Sequence, residues 1–237
     1  MLRSVNGTGT AGGNQAIAME TFIFVTVMWV FSVCLHEFGH AIVAYKGGDY
    51  TVKDKGYLDM NPLRYAEPVT SFILPVVFMM LGGFGLPGGA VYIETRLIRS
   101  RGWLTAMSLA GPAMNLLFAL VLCVPFWTGL VPQSSTSVAA CALAFLIQLQ
   151  VCALLFNLIP VPPLDGFQAL ATWLPDGAKE RIMEHSMMFF YLLIFLMWNV
   201  PVLNAIFWTF VGLGMWVLGI DPRLAWAGYQ DFRFWDK

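Results

Sequence analysis

The pentapeptide His36-Glu37-Phe38-Gly39-His40 lies near the end of an apolar run from about 17 to 43. On a helix, this spacing places the two imidazoles one turn apart on the same face, where both can bind one Zn²⁺. The carboxylate of Glu37 lies beside them, where it can take a proton from an attacking water. Ionisable side chains inside a membrane span are costly and usually mark a functional site. The pentapeptide therefore predicts half of a zinc site within a membrane-spanning helix.

The composition is that of an integral membrane protein. Of the 237 residues, 58% are hydrophobic and only 11% are charged, whereas a soluble domain is typically about 45–50% apolar and about 25% charged. Several apolar runs exceed the roughly 20 residues that cross a bilayer. The net charge of −1 gives no argument for a nucleic-acid partner. We therefore predict a single membrane-embedded domain (1–237) that is surrounded by the lipid bilayer.

Apolar runs and polar breaks divide the chain into segments. The predicted segments are a flexible N-terminus (1–16), a core that carries the candidate site (17–170), two C-terminal spans (185–220) hinged at 199–201, and an interfacial aromatic tail (221–237). Proline and glycine interrupt the apolar segment 69–86, and 88–93 has the character of a short extended piece. The predicted fold class is an all-α polytopic membrane protein of five to six transmembrane helices. A re-entrant or short β segment lies between its first two full spans.

A catalytic zinc site needs a third protein ligand in addition to the two histidines. The candidates are Asp49, Asp54, Asp59, Glu67, Asp165 and His185. Asp165 is favoured because it follows an apolar run that prolines break, and irregular backbone at membrane depth is tolerated where it lines a wet cavity. The alternative is that the carboxylate of Asp165 only caps the N-terminus of a helix.

Ligand geometry and charge placement both constrain the topology. The two histidines and Asp165 each lie at the C-terminal end of a span, so those ends must lie at similar depth on one side of the membrane. That condition holds if 69–86 dips into the membrane and returns. With the N-terminus outside, this arrangement places twelve of the thirteen Lys and Arg residues in the cytoplasm, compared with nine for six full crossings. Because positive charge favours the cytoplasmic side, we predict that the site faces the cytoplasm.

Three motifs, in this order along the chain, resemble those of the site-2 proteases, a family of intramembrane zinc metalloproteases. They are the pentapeptide 36–40, then Ala110-Gly111-Pro112 with Asn115, and then Asn157 through Pro160 to Leu164-Asp165-Gly166. The chain looks most like the small bacterial-type branch without a PDZ domain, in which Asn61-Pro62-Leu63 also recurs. The resemblance covers about 22–170. It implies a zinc metalloendopeptidase of a bacterial-type plasma membrane, multi-pass, whose substrates are transmembrane proteins.

The resemblance also implies a role for each matching residue. His36, His40 and Asp165 would ligate Zn²⁺, and Glu37 would act as general base. Asn157 would hold the substrate backbone or the developing oxyanion, although this residue could instead only satisfy backbone groups near a proline.

Two further readings of these motifs stay open. The piece 88–93 would offer an edge to an unwound substrate strand. Asn115 and the Gly111-Pro112 pair could serve only to kink and pack a helix.

Two other functions remain as alternatives. A membrane zinc transporter or metal-binding protein would need polar or ionisable residues on several spans, and the later spans of this chain carry almost none. A catalytically inactive homologue would bind or sort proteins without cleaving them. The presence of both Glu37 and Asp165 argues against that alternative.

Overall fold

The computed structural model describes residues 11–59, 92–134, 137–175, 177–233 and 235. In those ranges the chain forms the helices α1 (Ala11–Gly47), α2 (Thr51–Asp54), α3 (Arg101–Trp127), α4 (Val138–Asn157), α5 (Asp165–Ala171), α6 (Ala178–Met183), α7 (Ser186–Asn199), α8 (Pro201–Val217) and α9 (Pro222–Phe232). A 3₁₀ turn at Thr95–Leu97 precedes α3. These ranges contain no strand, so their fold is all-α as predicted.

Part of the sequence prediction lies outside the described residues. The predicted re-entrant segment 69–86 and the motif Asn61-Pro62-Leu63 both lie there, and so does most of 88–93. The last two residues of 88–93 are described, and they are irregular rather than extended in a sheet. The β segment is therefore not confirmed.

Three helices are long and apolar enough to cross a membrane, namely α1 from Gln15 onward, α3 and α4. Polar residues set where two of them begin. The Oγ of Ser100 accepts a hydrogen bond from the backbone N–H of Trp103 at 3.3 Å, and the Oγ of Ser137 accepts one from Ala140 at 3.2 Å. Such N-caps satisfy amides that would otherwise have no partner in the first helical turn. The chain is an integral membrane protein.

The bundle has two distinct ends. At one end, which we call the histidine end, the C-terminal ends of α1 and α4 meet the N-terminal end of α3. There the backbone N–H of Arg99 donates to the carbonyl of Gly47 at 2.9 Å. We call the opposite end the far end. There the C-terminal ends of α3 and α8 meet, and Trp127 Nε1 donates to the carbonyl of Leu218 at 2.8 Å.

The C-terminal apolar stretch forms two helices that meet at a sharp bend. α7 and α8 are bent by 91° at Pro201, which has no backbone N–H to donate. Asn204 reaches across the bend, and its Nδ2 donates to the carbonyl of Met197 at 3.3 Å. The hinge lies where the sequence predicted it.

The two bent helices together have the length and composition of a broken span or of a re-entrant loop, and their contacts favour the broken span. The ring of Phe190 on α7 lies 6.4 Å from that of Phe156 at the histidine end, whereas α8 finishes at the far end. The described residues therefore contain three to four candidate spans, and the predicted count of five to six is not confirmed.

This crossing also changes the expected position of the tail. The sequence prediction placed the tail on the same side as the candidate site, because two full C-terminal spans would return it there. With one broken span, α9 begins at the far end, where Gln133 Nε2 donates to the carbonyl of Gly219 at 2.7 Å.

The tail helix α9 packs against α1 and α4. The ring of Phe232 is fully buried and its centroid lies 5.1 Å from that of Phe22 and 5.5 Å from that of Phe145. Gly228 lies so close to the carbonyl of Cys141 that a Cβ there would overlap it. Trp226, on the same helix, remains largely exposed, so the interfacial role of the tail stays a prediction.

Candidate metal centre

His36 and His40 lie one turn apart on α1, and both side chains are turned into the bundle. Only 6% of His36 and 7% of His40 is exposed. Their Nε2 atoms are 3.1 Å apart. Nitrogen ligands that hold one tetrahedral Zn²⁺ at about 2.0–2.1 Å are separated by roughly 3.3 Å. The distance between the two nitrogens therefore suits one shared ion.

The second nitrogen of each ring is held by an oxygen. Nδ1 of His36 lies 2.7 Å from Oδ1 of Asn115, and Nδ1 of His40 lies 2.7 Å from the carbonyl oxygen of Met107. A carbonyl oxygen can only accept a hydrogen bond, so each Nδ1 carries the ring proton. Each Nε2 therefore presents a lone pair toward the other, as a metal ligand requires.

Asp165, the first residue of α5, brings a carboxylate to the two histidines. Its Oδ2 lies 3.2 Å from Nε2 of His36, and its Oδ1 lies 3.4 Å from Nε2 of His40. The position that caps α5 is occupied by Leu164, and no side chain caps this helix. The structure thus places Asp165 at the histidines, and the capping alternative does not account for its position.

This cluster of three side chains suits a cation. Because both ring protons are on Nδ1, neither Nε2 has a proton to share, and Oδ2 of Asp165 is buried without a hydrogen-bond partner. Three electron-pair donors that face one another repel unless positive charge lies between them. Two imidazole nitrogens and one carboxylate oxygen form a ligand set that catalytic Zn²⁺ sites use, with a fourth position for water or substrate. The residues therefore fit Zn²⁺.

The other candidate ligands that the structure describes do not join this cluster. Among the described residues, His36, His40 and Asp165 form the group that could hold a metal ion, with their ligand atoms within 4.8 Å of one another. The carboxylate of Asp49 is fully buried but accepts hydrogen bonds from Thr51 and from the backbone N–H of Glu94. His185 is exposed and stands apart from the cluster. Glu67 lies outside the described residues, so it is not tested.

Two glycines bring α3 against the histidine face of α1. A Cβ on Gly39 would lie 2.6 Å from Cγ of Met114 and 2.7 Å from the carbonyl oxygen of Ala110. A Cβ on Gly111 would overlap Nε2 of both histidines. Gly111 therefore leaves open the space that an ion would occupy.

We expect Gly111→Ala to abolish zinc binding, because the added methyl group occupies the position of the ion. Alanine in a helix interior is about 0.5–1 kcal/mol more favourable than glycine, so the helix itself should persist. The measurement is the zinc content of the purified protein. Gly212→Ala on α8, where a Cβ meets nothing within 4 Å, is the control and should keep its zinc. A full zinc content in Gly111→Ala would contradict this role of Gly111.

Close contacts at both ends of α5 position Asp165. A Cβ on the next residue, Gly166, would overlap the carbonyl of Leu158, so α5 folds directly back onto the end of α4. At the other end of α5, the Oγ1 atoms of Thr105 and Thr172 are 2.9 Å apart, and Trp173 Nε1 donates to Thr105 at 3.0 Å. The helix that carries the carboxylate is thus held against both α4 and α3.

A buried polar network lies behind His36. Nδ2 of Asn115 donates to Oγ of Ser32 at 3.2 Å and to Oε1 of Gln150 at 3.0 Å, and Ser32 also donates to Gln150. Sequence reasoning considered only Asn115, and its contact with His36 goes beyond helix packing. Ser32 and Gln150 were missed. The signal for Gln150 is a primary amide in the middle of an apolar span, where polar groups are rare.

Glu37 and Asn157 are both buried at the histidine end. Glu37 is 6% exposed and Asn157 is 3% exposed. Asn157 is the last residue of α4, and its Nδ2 donates to the carbonyl of Ala153 at 3.1 Å. That carbonyl lies within α4 and is not the one that lacks a donor because of Pro160, so the predicted alternative for Asn157 stays a prediction. The bond uses one of the two amide protons.

The chain is similar to proteins that are named as zinc metalloproteases. It is 40% identical over 222 residues to "Putative zinc metalloprotease Rip2" of Mycolicibacterium smegmatis, with 90% of this chain and 81% of the relative covered. A protein of the same name from Mycobacterium tuberculosis strain H37Rv is 40% identical over 217 residues, with the same coverage. "Putative zinc metalloprotease YwhC" of Bacillus subtilis is 27% identical over 198 residues, which cover 81% of this chain and 87% of the relative. Neither a family model nor a solved structure gives a significant match.

These comparisons confirm the resemblance that the motifs indicated. The similarity to the Rip2 proteins extends over most of both chains, and the ligand cluster of the structure fits the metal in their name. The protein is a membrane-embedded metalloprotease with Zn²⁺ as its cofactor, and the chain belongs to the site-2 protease family.

Proposed function

We propose that this protein hydrolyses peptide bonds in or near the transmembrane segments of membrane proteins. The observation that carries the proposal is the position of the metal cluster. His36 and His40 lie within α1, and Gly111 of α3 lies against them; both helices are long and apolar enough to cross a membrane. A peptide bond must therefore enter the membrane region to reach the cluster, which favours a membrane protein as the substrate.

Each residue of the centre has a proposed task. His36, His40 and Asp165 hold Zn²⁺, which when bound polarises a carbonyl and lowers the pKa of water to about 7. Glu37 takes a proton from the attacking water and passes it to the leaving amine. Its place between the two histidines on a helix, and its burial, support this role.

The substrate must present an accessible carbonyl. In a helical segment each carbonyl is hydrogen-bonded to an amide four residues later, so the substrate has to unwind locally before attack. Asn157 is proposed to hold the unwound backbone or the developing oxyanion. Because Ala153 takes one proton of its amide, the second proton is available for this contact.

The cluster is proposed to face the cytoplasm, because positive charge is concentrated at its end of the bundle. The described basic residues nearest the histidine end are Lys46, Lys53, Lys55, Arg96, Arg99, Arg101, Lys179 and Arg181, whereas Arg223 and Arg233 follow the far end. Cytoplasmic segments carry the excess of Lys and Arg in membrane proteins. The asymmetry supports a cytoplasmic histidine end.

Single cysteines introduced at Lys179 and Arg223 test this orientation in intact cells. We expect a membrane-impermeant maleimide to label the cysteine at 223 and to leave the one at 179 unlabelled until the cells are opened. The reverse pattern would contradict a cytoplasmic site. The four native cysteines are buried, and the unmodified chain provides the background signal.

The proposed reaction is tested with purified protein in liposomes together with single-span membrane proteins. We expect cleavage that stops on chelation, returns with added Zn²⁺, and leaves product ends, identified by mass spectrometry, within or beside the span. A zinc-sensitive dye inside the same liposomes tests the rival transporter. Zinc flux without cleavage would overturn the proposed function, and cleavage confined to soluble loops would overturn its intramembrane part.

A further inference from the structure

The side-chain amide of Asn115 can face His36 in two ways, and only one of them suits a metal ligand. With Oδ1 toward the ring, as in the structure, Nδ1 of His36 carries the proton and Nε2 presents its lone pair. With the amide reversed, Nδ2 would donate to Nδ1, and the ring proton would move to Nε2. That tautomer cannot bind a metal through Nε2.

Two side chains from other helices hold Asn115 in the first orientation. Its Nδ2 donates to Oγ of Ser32 on α1 and to Oε1 of Gln150 on α4. Reversing Asn115 alone would bring its Oδ1 against Oε1 of Gln150, and two acceptors cannot share a hydrogen bond. The orientation of Asn115 therefore depends on which atom Gln150 presents.

Gln150 presents its oxygen because Oε1 receives two hydrogen bonds, one from Ser32 and one from Asn115. Its Nε2 is buried without a hydrogen-bond partner in this orientation, a cost of about 1–3 kcal/mol that the two bonds to Oε1 offset. If Gln150 were reversed, its amino group would force Asn115 to reverse as well. With both amides reversed, Asn115 would donate to Nδ1 of His36, and the ring proton would lie on Nε2.

We propose that Gln150, supported by Ser32, is a positioning residue that keeps His36 in the tautomer that binds zinc. The acceptor atom Oε1 sets the orientation of Asn115, and Asn115 sets the proton position on His36. This deepens the proposed function and rests on His36 being a zinc ligand. It gives a reason for the full burial of Gln150 in a mostly apolar span, where the other glutamine, Gln148, is only half-buried.

The first test is zinc affinity, measured by competition with a chromophoric chelator. Gln150→Met removes the acceptor at similar size, and we expect about tenfold weaker zinc binding. This is the low end of the loss in metal affinity that follows mutation of residues supporting a metal ligand through hydrogen bonds. Gln150→Glu retains an oxygen that can accept the hydrogen bond from Asn115, so its zinc affinity should stay within about threefold of wild type. Gln148→Met makes the same change on the same helix at a half-buried position and should match wild type. The zinc affinity of Ser32→Ala should lie between those of Gln150→Met and wild type.

The second test reads the tautomer of His36 directly. The chain has three histidines, so ¹⁵N-labelled histidine in a His185→Gln background leaves two rings to observe in the metal-free protein. We expect Gln150→Met to shift His36 toward the Nε2–H form. His40 should not change, because a backbone carbonyl holds its Nδ1. This internal reference separates a tautomer change from general unfolding.

The outcomes separate this proposal from the ligand assignment. If wild type and His36→Ala bind zinc equally well, His36 is not a ligand and the proposed function loses its site. If His36→Ala loses zinc but Gln150→Met keeps both the wild-type affinity and the Nδ1–H tautomer, only the role of Gln150 is overturned. Equal losses in Gln150→Met and Gln150→Glu would also overturn it, because the acceptor would then make no difference.

Discussion

Glu37→Gln is expected to slow cleavage of a reconstituted membrane substrate by at least about 100-fold, since a positioned general base typically contributes 10²–10⁴ in rate. Glutamine has nearly the same shape as glutamate, but its neutral amide cannot take the proton of the attacking water. Glu37 does not belong to the three-residue ligand cluster, so zinc content should remain that of wild type. The measurements are the cleavage rate and the zinc content of one preparation.

Glu20→Gln is the matched control for this change. Glu20 lies on the same helix but is exposed, so its substitution should leave both measurements unchanged. Undiminished cleavage by Glu37→Gln would rule out the general-base role. A loss of zinc together with activity would instead show that Glu37 supports the ligands, and the chemical role would have to be assigned to another residue.

Asp165→Asn is the second substitution with a large expected effect. It removes the negative charge that balances the ion. Mutation of a residue that only hydrogen-bonds to a metal ligand typically lowers metal affinity by roughly 10–100-fold, and we expect the loss in Asp165→Asn to be larger. Cleavage should fall with it and should recover partly at high zinc concentration, because the two histidines and the amide oxygen remain. Chelator competition and cleavage at increasing zinc concentration measure both effects.

The same change at the far end of the bundle provides a control. Asp221 caps α9, where its carboxylate accepts a hydrogen bond from the backbone N–H of Arg223 at 2.8 Å. Asparagine caps helices about as well as aspartate, so Asp221→Asn should keep both zinc and stability. If Asp165→Asn bound zinc like wild type, the third ligand would have to be sought elsewhere, with Glu67 as the remaining acidic candidate beyond the described residues.

The cluster of His36, His40 and Asp165 could be predicted from sequence because each part of it leaves a local signal. Two histidines four residues apart share a helix face wherever that helix lies. Asp165 was favoured because prolines break the apolar run before it, and the structure brings its carboxylate within 3.4 Å of both Nε2 atoms. In both cases the signal lies in neighbouring residues: the four-residue spacing of the histidines, and the prolines that come before Asp165.

The contacts between helices could not be predicted in this way. A span in lipid is apolar around most of its surface, so its hydrophobic pattern does not reveal which face is buried against protein. The hydrogen bonds of Ser32 and Gln150 therefore left no periodic signal. The length of the C-terminal apolar stretch also did not show that the chain bends by 91° at Pro201.

The division of the ligands between α1 and α5 has a consequence for the lifetime of the protein. An ion bound by His36, His40 and Asp165 joins segments that lie far apart in the chain, and it binds only when they are folded together. Such binding adds to folding stability, by about 4.1 kcal/mol when free ligand is 1,000 times its dissociation constant. Cells short of zinc would therefore hold fewer copies of this protein, because the metal-free chain would be more easily degraded by quality-control proteases.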